Sequence, residues 1–305
     1  MTLKYGIFLP LIWALLIPLS AQAEEDRGKR GPWVWGVAGG ALHQLETDLK
    51  DADGAFSVSR GFAQLSAGYA WNRRNTVSVS VAYGSSDYDF VDDATINGNA
   101  PWGRIEDYRL SVPIRFSPVD KADVIVIPSV RSYADAEARR SDGQTGGLIA
   151  GMGWKFSDRL TLGPGFGWYS ELGGGSTTFP IIVVDWKITD RLSLETGRGL
   201  AASQGPGLTL AYALHQRWSL SAIARYERIR FAVDEKNSVG SFGEDRSMPL
   251  LLSLNYSPWP MTSASLSLGA ELNGRISLED DNGRRLADSD YETAPLIGLS
   301  FSSRF

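Results

Sequence analysis

The sequence predicts an all-β protein: a single antiparallel up-and-down transmembrane β-barrel of about 14 strands, with 12 as the alternative count. Three observations favour this fold class. Apolar and polar residues alternate with period 2 after Gly31, short polar turns alternate with longer polar connections, and the last strand ends on Phe305. A soluble β-sandwich would also show alternation, because each of its sheets buries one face. The export leader and the aromatic end of the last strand favour the barrel instead.

The first 23 residues have the pattern of a secretory signal peptide. A basic residue precedes an apolar stretch, and an A-x-A motif ends at Ala23. The apolar stretch is shorter than the roughly 20 residues that a membrane-spanning helix needs. Cleavage between Ala23 and Glu24 would leave a short periplasmic segment, residues 24–32, ahead of a barrel formed by residues 33–305. Such a leader and such a barrel are typical of the bacterial outer membrane.

Composition excludes several classes of function. The chain has no cysteine, so it cannot form disulfides or thiolate metal sites. Without the leader, which carries one basic residue, 29 basic residues stand against 35 acidic ones, a balance of about −6. Nucleic acid is excluded as a partner, because its recognition needs a basic surface.

The alternating segments and the connections between them give the strand count. Fourteen segments can be counted, near residues 33–41, 61–71, 76–85, 106–116, 122–132, 146–156, 159–169, 178–188, 191–198, 206–215, 217–231, 247–257, 262–273 and 293–305. The phrases WKFSDRLTLG, from Trp154, and WKITDRLSLE, from Trp186, mark two of the short turns. Long external loops are predicted at 42–60, 86–105 and 274–292. The uneven turn spacing disfavours a propeller or solenoid, which would keep one period.

Each strand of a barrel has a lipid-facing and an inward-facing set of side chains. Aromatic residues beside the short turns predict a girdle at the membrane boundary: Trp154, Phe156, Trp186, Trp218, Tyr256 and Phe305. The inward set is mostly serine and glycine, such as Gly151 and Gly167. It also contains charged residues predicted to line the lumen: Arg109, Arg115, Asp185, Glu195, Arg225, Glu227, Glu271 and Arg304. These charges can line a watery passage and set its ion preference, or pair across the interior and brace it.

Catalysis and metal binding are disfavoured. The two histidines, His43 and His215, belong to opposite ends of the predicted barrel, so they cannot share a nucleophile-base site. Acidic residues cluster in the external connections, but stretches such as Asp51-Ala-Asp53-Gly lack the ligand spacing of a calcium loop. We therefore expect a solvated acidic rim, no metal site, no cofactor and no enzymatic activity.

The second half of the chain also resembles a known group of proteins. The stretches LETGRGLAASQGPGLTLAYAL, RYERIRFAVDE, FGEDRSMPLLLSLNYSP and GRISLEDDNGRRLADSDYETAPLIGLSFSSRF, within residues 185–305, are similar to an uncharacterised family of Gram-negative outer-membrane β-barrels. The resemblance implies the fold and the outer-membrane location but no activity. The last strand, PLIGLSFSSRF, is similar to the terminal signal that the barrel-assembly machinery recognises, although Ser303 stands where a second aromatic residue is common.

These features predict a passive or modestly selective channel for small polar solutes. Its surroundings would be outer-membrane lipid and lipopolysaccharide. Any occlusion is expected from an inward-folded external loop, for which residues 86–105 are the best candidates. The alternative is a closed barrel with a structural role, or one that binds a partner through its external loops. Uptake of an apolar solute is disfavoured by the serine, glycine and charge of the predicted lumen.

Overall fold

The computed structural model describes residues 31–72, 74–91, 101–196, 207–234 and 240–305. The predicted signal peptide, its cleavage site at Ala23–Glu24 and residues 24–30 lie outside these ranges. The described strand segments are β1 (Trp33–Asp48), β2 (Ala55–Ala70), β3 (Thr76–Val91), β4 (Arg104–Ser111), β5 (Ile114–Val119), β6 (Ala122–Asp135), β7 (Gln144–Ser157), β8 (Leu160–Ser170), β9 (Ser176–Lys187), β10 (Leu192–Thr196), β11 (Gly207–His215), β12 (Trp218–Arg225), β13 (Glu227–Ala232), β14 (Phe242–Tyr256), β15 (Thr262–Glu279), β16 (Arg285–Asp290) and β17 (Ala294–Arg304). No helix in the described ranges is long and apolar enough to cross a membrane.

The segments form one closed antiparallel barrel of 14 strands. Three barrel strands are each made of two segments, namely β4 with β5, β12 with β13, and β16 with β17. The first and last strands pair with each other, and Gly36 lies opposite Arg304. The predicted fold class and strand count are therefore confirmed.

Proline explains one of the breaks within a barrel strand. Pro113 separates β4 from β5 and has no N–H to donate to a ladder. The chain continues in line because Val112 N donates to the Pro128 carbonyl at 3.0 Å and Ser78 N donates to the Pro113 carbonyl at 2.9 Å. The proline therefore interrupts the strand without ending it.

The repeated turn phrase has a structural consequence. The two turns are neighbours at one end of the barrel, because β8 pairs with β9. Arg159 of the first phrase donates from Nη2 to Oδ1 of Asp190 in the second phrase, at 2.7 Å. Two successive turns of the same composition thus contact each other at the periplasmic rim.

Strands on one side of the barrel extend beyond the membrane, where the sequence predicts loops. The prediction of long loops at 42–60, 86–105 and 274–292 is wrong for much of their described parts, since β1 runs to Asp48, β2 starts at Ala55, β3 runs to Val91 and β15 runs to Glu279. The alternation changes phase there. Within the membrane the outward face is apolar, as at Leu65, which is 66% exposed, whereas in the extensions the inward face is apolar, as at Val58, which is fully buried.

These extensions close into a narrower barrel at the outer end. Ala134 of β6 pairs with Ala232 of β13. The pairing is parallel because both strands run outward, and it forms although five other barrel strands, β7 to β11, separate them along the chain. Within the described residues, nine strands therefore continue past the level where β7 to β11 end. The barrel is 14 strands wide on the periplasmic side and nine strands wide at the outer end.

Candidate functional site

The interior of the wide half is a polar vestibule. It has a volume of about 830 Å³, and its wall is formed by β1, β2, β10, β11, β12, β14, β15 and β17, with serine, threonine, asparagine and glutamine as the commonest lining side chains. Asn255 Nδ2 donates to Ser221 Oγ at 2.9 Å, and Ser265 Oγ donates to Asn255 Oδ1 at 2.8 Å. The hydroxyls of Ser253 and Ser267 lie 2.6 Å apart. Adjacent strands thus present a continuous hydrogen-bonded surface to the lumen.

The opposite wall of the barrel is less polar. Its inward glycines are covered by side chains of nearby strands, so they do not widen the lumen. Gly167 lies opposite Phe179, and a Cβ on Gly167 would collide with the Phe179 ring. A Cβ on Gly151 would lie 2.8 Å from Cγ2 of Val183. The absence of a side chain at these positions lets the larger neighbours lie flat against the sheet.

The narrow outer half is filled with apolar side chains. Phe56, Phe231 and Ile276 are fully buried in one cluster that also contains Trp102 and Tyr291. The rings of Trp102 and Phe231 meet edge-to-face with centroids 5.0 Å apart. A barrel of about eight strands has an interior just wide enough for side chains to fill, so nine strands allow such packing where 14 do not. We call the whole cluster the plug.

The base of the plug is a buried network around Arg60. Arg60 Nη1 donates to Glu271 Oε1 at 2.7 Å, and Nη2 donates to Asp245 Oδ2 at 3.0 Å. The Tyr88 hydroxyl donates to Asp245 Oδ2 at 2.8 Å, and the Tyr291 hydroxyl donates to Glu271 Oε2 at 2.9 Å. These residues come from β2, β3, β14, β15 and the junction between β16 and β17, so the network ties opposite sides of the interior together.

A second charged cluster lies on the inward face of β4 and β6. Arg131 holds Asp107 with two hydrogen bonds, Nε to Oδ1 at 2.6 Å and Nη2 to Oδ2 at 3.0 Å. Arg109 Nη2 reaches the same carboxylate at 3.1 Å, and the Arg131 guanidinium lies 4.1 Å from the Tyr133 ring centroid. The Asp107 carboxylate therefore holds both guanidinium groups, those of Arg109 and Arg131, in fixed orientations.

A cavity of about 60 Å³ lies between the two clusters. Its lining includes Arg60, Asp107, Tyr133, Arg225 and Glu227. The volume is enough for a few water molecules and too small for an organic solute. In this conformation the interior therefore narrows from the vestibule to a water-sized space and then ends at the plug.

The strand register places all eight predicted lumen residues on the inward face, but they divide into two groups. Arg109, Arg225, Glu227 and Glu271 belong to the ion-paired region below the plug, where Arg225 Nη1 lies 3.8 Å from Glu227 Oε1. These side chains brace the interior. The other four lie on the inward face of the wide half, where Asp185 pairs in register with Glu195, Arg115 with Ile125, and Arg304 with Gly36. Only Glu195 and Arg304 of these contribute to the vestibule lining itself.

Sequence reasoning missed the centres of both clusters. Arg60 and Asp245 fall just outside the segments predicted as strands, because the change of phase at the membrane boundary predicts the start of a loop. Asp107 and Arg131 lie inside predicted strands, on the same inward face as Arg109 and Ser129. Following that inward face toward the outer end of both strands identifies them.

The six predicted girdle residues lie at the short-turn end with their rings on the outer surface. Trp154, Trp186 and Trp218 are each about 40% exposed, and Phe156 and Phe305 are more exposed. The Tyr256 ring packs against Trp218 with centroids 4.6 Å apart. This arrangement suits the boundary between lipid and water, where amphipathic rings are favoured.

Neither histidine contributes to the charged clusters, although His43 lies across the sheet from the Arg60 network, since Leu42 pairs in register with Arg60. His43 is on the outer surface of β1, where its Nδ1 lies 3.0 Å from Ser59 Oγ. His215 ends β11 at a periplasmic turn.

The segment predicted to occlude the lumen, residues 86–105, is only partly described. Residues 86–91 complete β3, residues 92–100 lie outside the described ranges, and Trp102 enters the plug.

Comparison with known proteins supports the fold. No family model and no curated protein matches the sequence. An outer-membrane channel from Pseudomonas putida F1 superimposes with a TM-score of 0.52 at 11% identity, over 92% of this chain and 98% of that chain. The P. putida toluene transporter TodX gives 0.46 at 10% identity, over 91% of each chain. A Pseudomonas aeruginosa FadL homologue gives 0.45 at 13% identity, over 90% of each chain.

The chain has the fold of an outer-membrane β-barrel. Pairing of the first and last strands closes its sheet, and its membrane-level outer surface is apolar, with Leu65 and Ile182 more than 60% exposed. The predicted location in the Gram-negative outer membrane is confirmed. The resemblance to an uncharacterised family of such barrels holds at the level of fold and location.

Proposed function

We propose that the protein is an outer-membrane channel for small polar solutes, with a vestibule on the periplasmic side and a closed outer end. The observation that carries this proposal is the polar vestibule of about 830 Å³. A barrel that served only as a scaffold would gain stability by filling this space with side chains. A strongly apolar solute would meet a few apolar side chains, such as Phe62 and Ile223, but it would leave the hydroxyl groups of the wall without partners.

The charges of the wide half suit a passage with modest ion preference. Arg115 and Arg304 are balanced by Asp185 and Glu195 on the same inward face. Opposite charges in one lumen favour neither cations nor anions strongly. The wall offers many hydrogen-bonding groups and few charges, which favours neutral or dipolar solutes.

The packed outer half favours a second candidate function. A plug without room for a solute is what a closed barrel with a structural or partner-binding role requires. The polar network beneath the plug, with Glu271 and Asp245 almost fully buried, keeps that end rigid. The two candidates differ in one measurable property, which is permeability.

Permeability can be tested with the refolded mature chain in planar bilayers and in liposomes that swell when a small sugar enters. The channel proposal predicts discrete openings and sugar entrance. The variant Arg115→Glu/Arg304→Glu should shift the reversal potential toward cation preference, since it places two acidic groups on the inward face. Arg139→Glu is the matched control, because Arg139 is an exposed arginine of the loop between β6 and β7 and should leave ion preference unchanged.

Folded protein is identified by its heat-modifiable mobility on gels. If the folded wild type carries no current and admits no sugar, the closed-barrel function replaces the channel. If it conducts but the double variant keeps the wild-type reversal potential, the passage does not follow the proposed lining.

A further inference from the structure

The narrow outer barrel contains one weak line in its wall. We call the junction of β6 and β13 the seam. It consists of a single parallel pair, Ala134 with Ala232, within the described residues. By comparison, β2 and β3 are joined through 16 register pairs and β14 and β15 through 14. The sheet can part at the seam at the smallest cost in backbone hydrogen bonds.

A loop from a neighbouring hairpin covers the seam from outside. The connection between β8 and β9, residues 171–175, is here called the latch. Its Leu172 is buried in a small apolar cluster with Ala134, Ala232 and Phe242. The side chains of both seam alanines point outward, because Tyr133 and Phe231 beside them point into the plug. Leu172 therefore bridges the two strands that the seam joins.

Charged contacts hold the latch in place. Glu171 Oε1 accepts from Arg228 Nη1 at 3.0 Å, and its Oε2 accepts from Arg230 Nη1 at 3.4 Å. Arg230 Nη1 also donates to the Leu172 carbonyl at 2.6 Å. The same two arginines are fixed from behind by Glu244, at 2.8 Å from Arg228, and by Glu279, at 2.5 Å from Arg230.

The backbone of the latch is built on three consecutive glycines. Gly173, Gly174 and Gly175 all have positive φ, at 76°, 101° and 87°. Glycine adopts these angles without strain and also reaches many others. The three glycines let the loop dock on the seam, and they also let it leave.

The seam lies above the lipid. On the outer surface of the barrel strand formed by β12 and β13, Tyr226 is followed by Arg228 and Arg230, which are polar positions. On β6, the seam alanine lies one register pair beyond Tyr133 and opposite Glu106 of β4. Parting of the seam would therefore expose strand edges to water, which can satisfy them, and not to lipid, which cannot.

We propose that the seam is the gate of the channel and that residues 171–175 are its latch. This inference rests on the proposed channel function. Separation of β6 from β13 removes the closure that makes the outer end nine strands wide. The plug side chains then lose the narrow barrel that packs them, water enters between them, and the vestibule connects to the outside.

The absence of cysteine from the chain allows a direct test. The variant Ala134→Cys/Ala232→Cys places two cysteines on paired strands. Neighbouring strands lie about 4.8 Å apart, which is within the range of Cα separations that a disulfide spans. The control variant Ser57→Cys/Asp89→Cys places the same pair on β2 and β3, which already form a continuous ladder. Both proteins are refolded under oxidising conditions, and loss of free thiols is measured before bilayer recording.

The gate proposal predicts that the oxidised seam variant loses at least nine-tenths of its open time and that a reductant restores it. The oxidised control should conduct like wild type. Undiminished current through the oxidised seam variant would overturn the gate. Absence of current from wild type and from the reduced variants would instead overturn the channel function. If the seam cysteines prevent folding, Glu171→Gln serves as the second test, and an unchanged open probability there also counts against the latch.

Discussion

Arg60 is the cation on which the base of the plug depends, so its replacement by Met gives the sharpest prediction. Its guanidinium makes charge-assisted hydrogen bonds to Glu271 at 2.7 Å and Asp245 at 3.0 Å. The two carboxylates are 0% and 2% exposed. Methionine keeps much of the volume of the side chain but leaves both buried acids without their counterion.

The expected loss in the free energy of unfolding is about 3–5 kcal/mol, the range measured when one partner of a buried ion pair is removed. Urea titration in lipid vesicles, followed by heat-modifiable mobility, measures it. Arg304→Met is the matched control. Arg304 lies at the periplasmic mouth, and we expect a change within about 0.5 kcal/mol there.

A compensating variant separates the loss of charge pairing from a loss of packing. Asp245→Asn/Glu271→Gln combined with Arg60→Met removes all three charges, and it should recover most of the lost stability, because neutral amides cost less to bury than carboxylates. If Arg60→Met changes stability no more than Arg304→Met, the network does not hold the interior together. If the triple variant is as unstable as the single one, packing by the arginine chain explains the loss.

Three further outcomes are expected. Phe231→Ala should lower the free energy of unfolding by about 3–5 kcal/mol in the same titration and raise the open probability of the channel. Phe166 faces lipid, so Phe166→Ala should change neither quantity greatly. Equal effects of the two variants would refute an interior plug. Gly274→Ala should lower stability by about 1–3 kcal/mol, since a Cβ there collides with the Tyr291 ring, and a wild-type urea midpoint would contradict that contact. Burial alone would raise the pKa of Glu171, but the hydrogen bond from Thr177 and the charges of Arg228 and Arg230 outweigh burial and hold the pKa below its ordinary value of 4.5. A depressed carboxyl pKa stabilises the docked latch above pH 4.5 and loses that effect as pH falls through the lowered pKa, so bilayer recordings should show more openings in acid, and Glu171→Gln should abolish this step.

The membrane part of the fold could be predicted from the sequence because one physical rule governs it. Lipid requires an apolar residue at every second position, and the turns between strands need few residues, so strand number and barrel closure follow from alternation. The outer extensions obey the opposite rule. There the exterior is water and the interior is the plug, so Phe56 and Val58 point inward while Leu65, nine residues from Phe56, points outward.

The sequence therefore predicts a loop at residues 42–60, although Phe56 and Val58 continue the alternation of β2 with its phase reversed. Where the apolar residues of an alternating segment move from one face of the strand to the other, the strand leaves the membrane and continues into water. The narrow outer barrel could not be predicted in the same way. It depends on the contact between Ala134 and Ala232, and two alanines far apart in the sequence carry no local mark of their pairing.

The pairing of β1 with β17 also determines when this molecule can fold. Trp35 and Phe305 exchange backbone hydrogen bonds at 2.9 and 3.0 Å, which joins the two ends of the barrel sheet. Closing a loop of this length costs about 5 kcal/mol of chain entropy, far more than forming any single hairpin. The hairpins can form one after another during insertion, but the ring cannot close until the last strand is in place. Assembly is therefore committed by the final few residues, and until then both edges of a curved sheet must be kept from pairing with other chains.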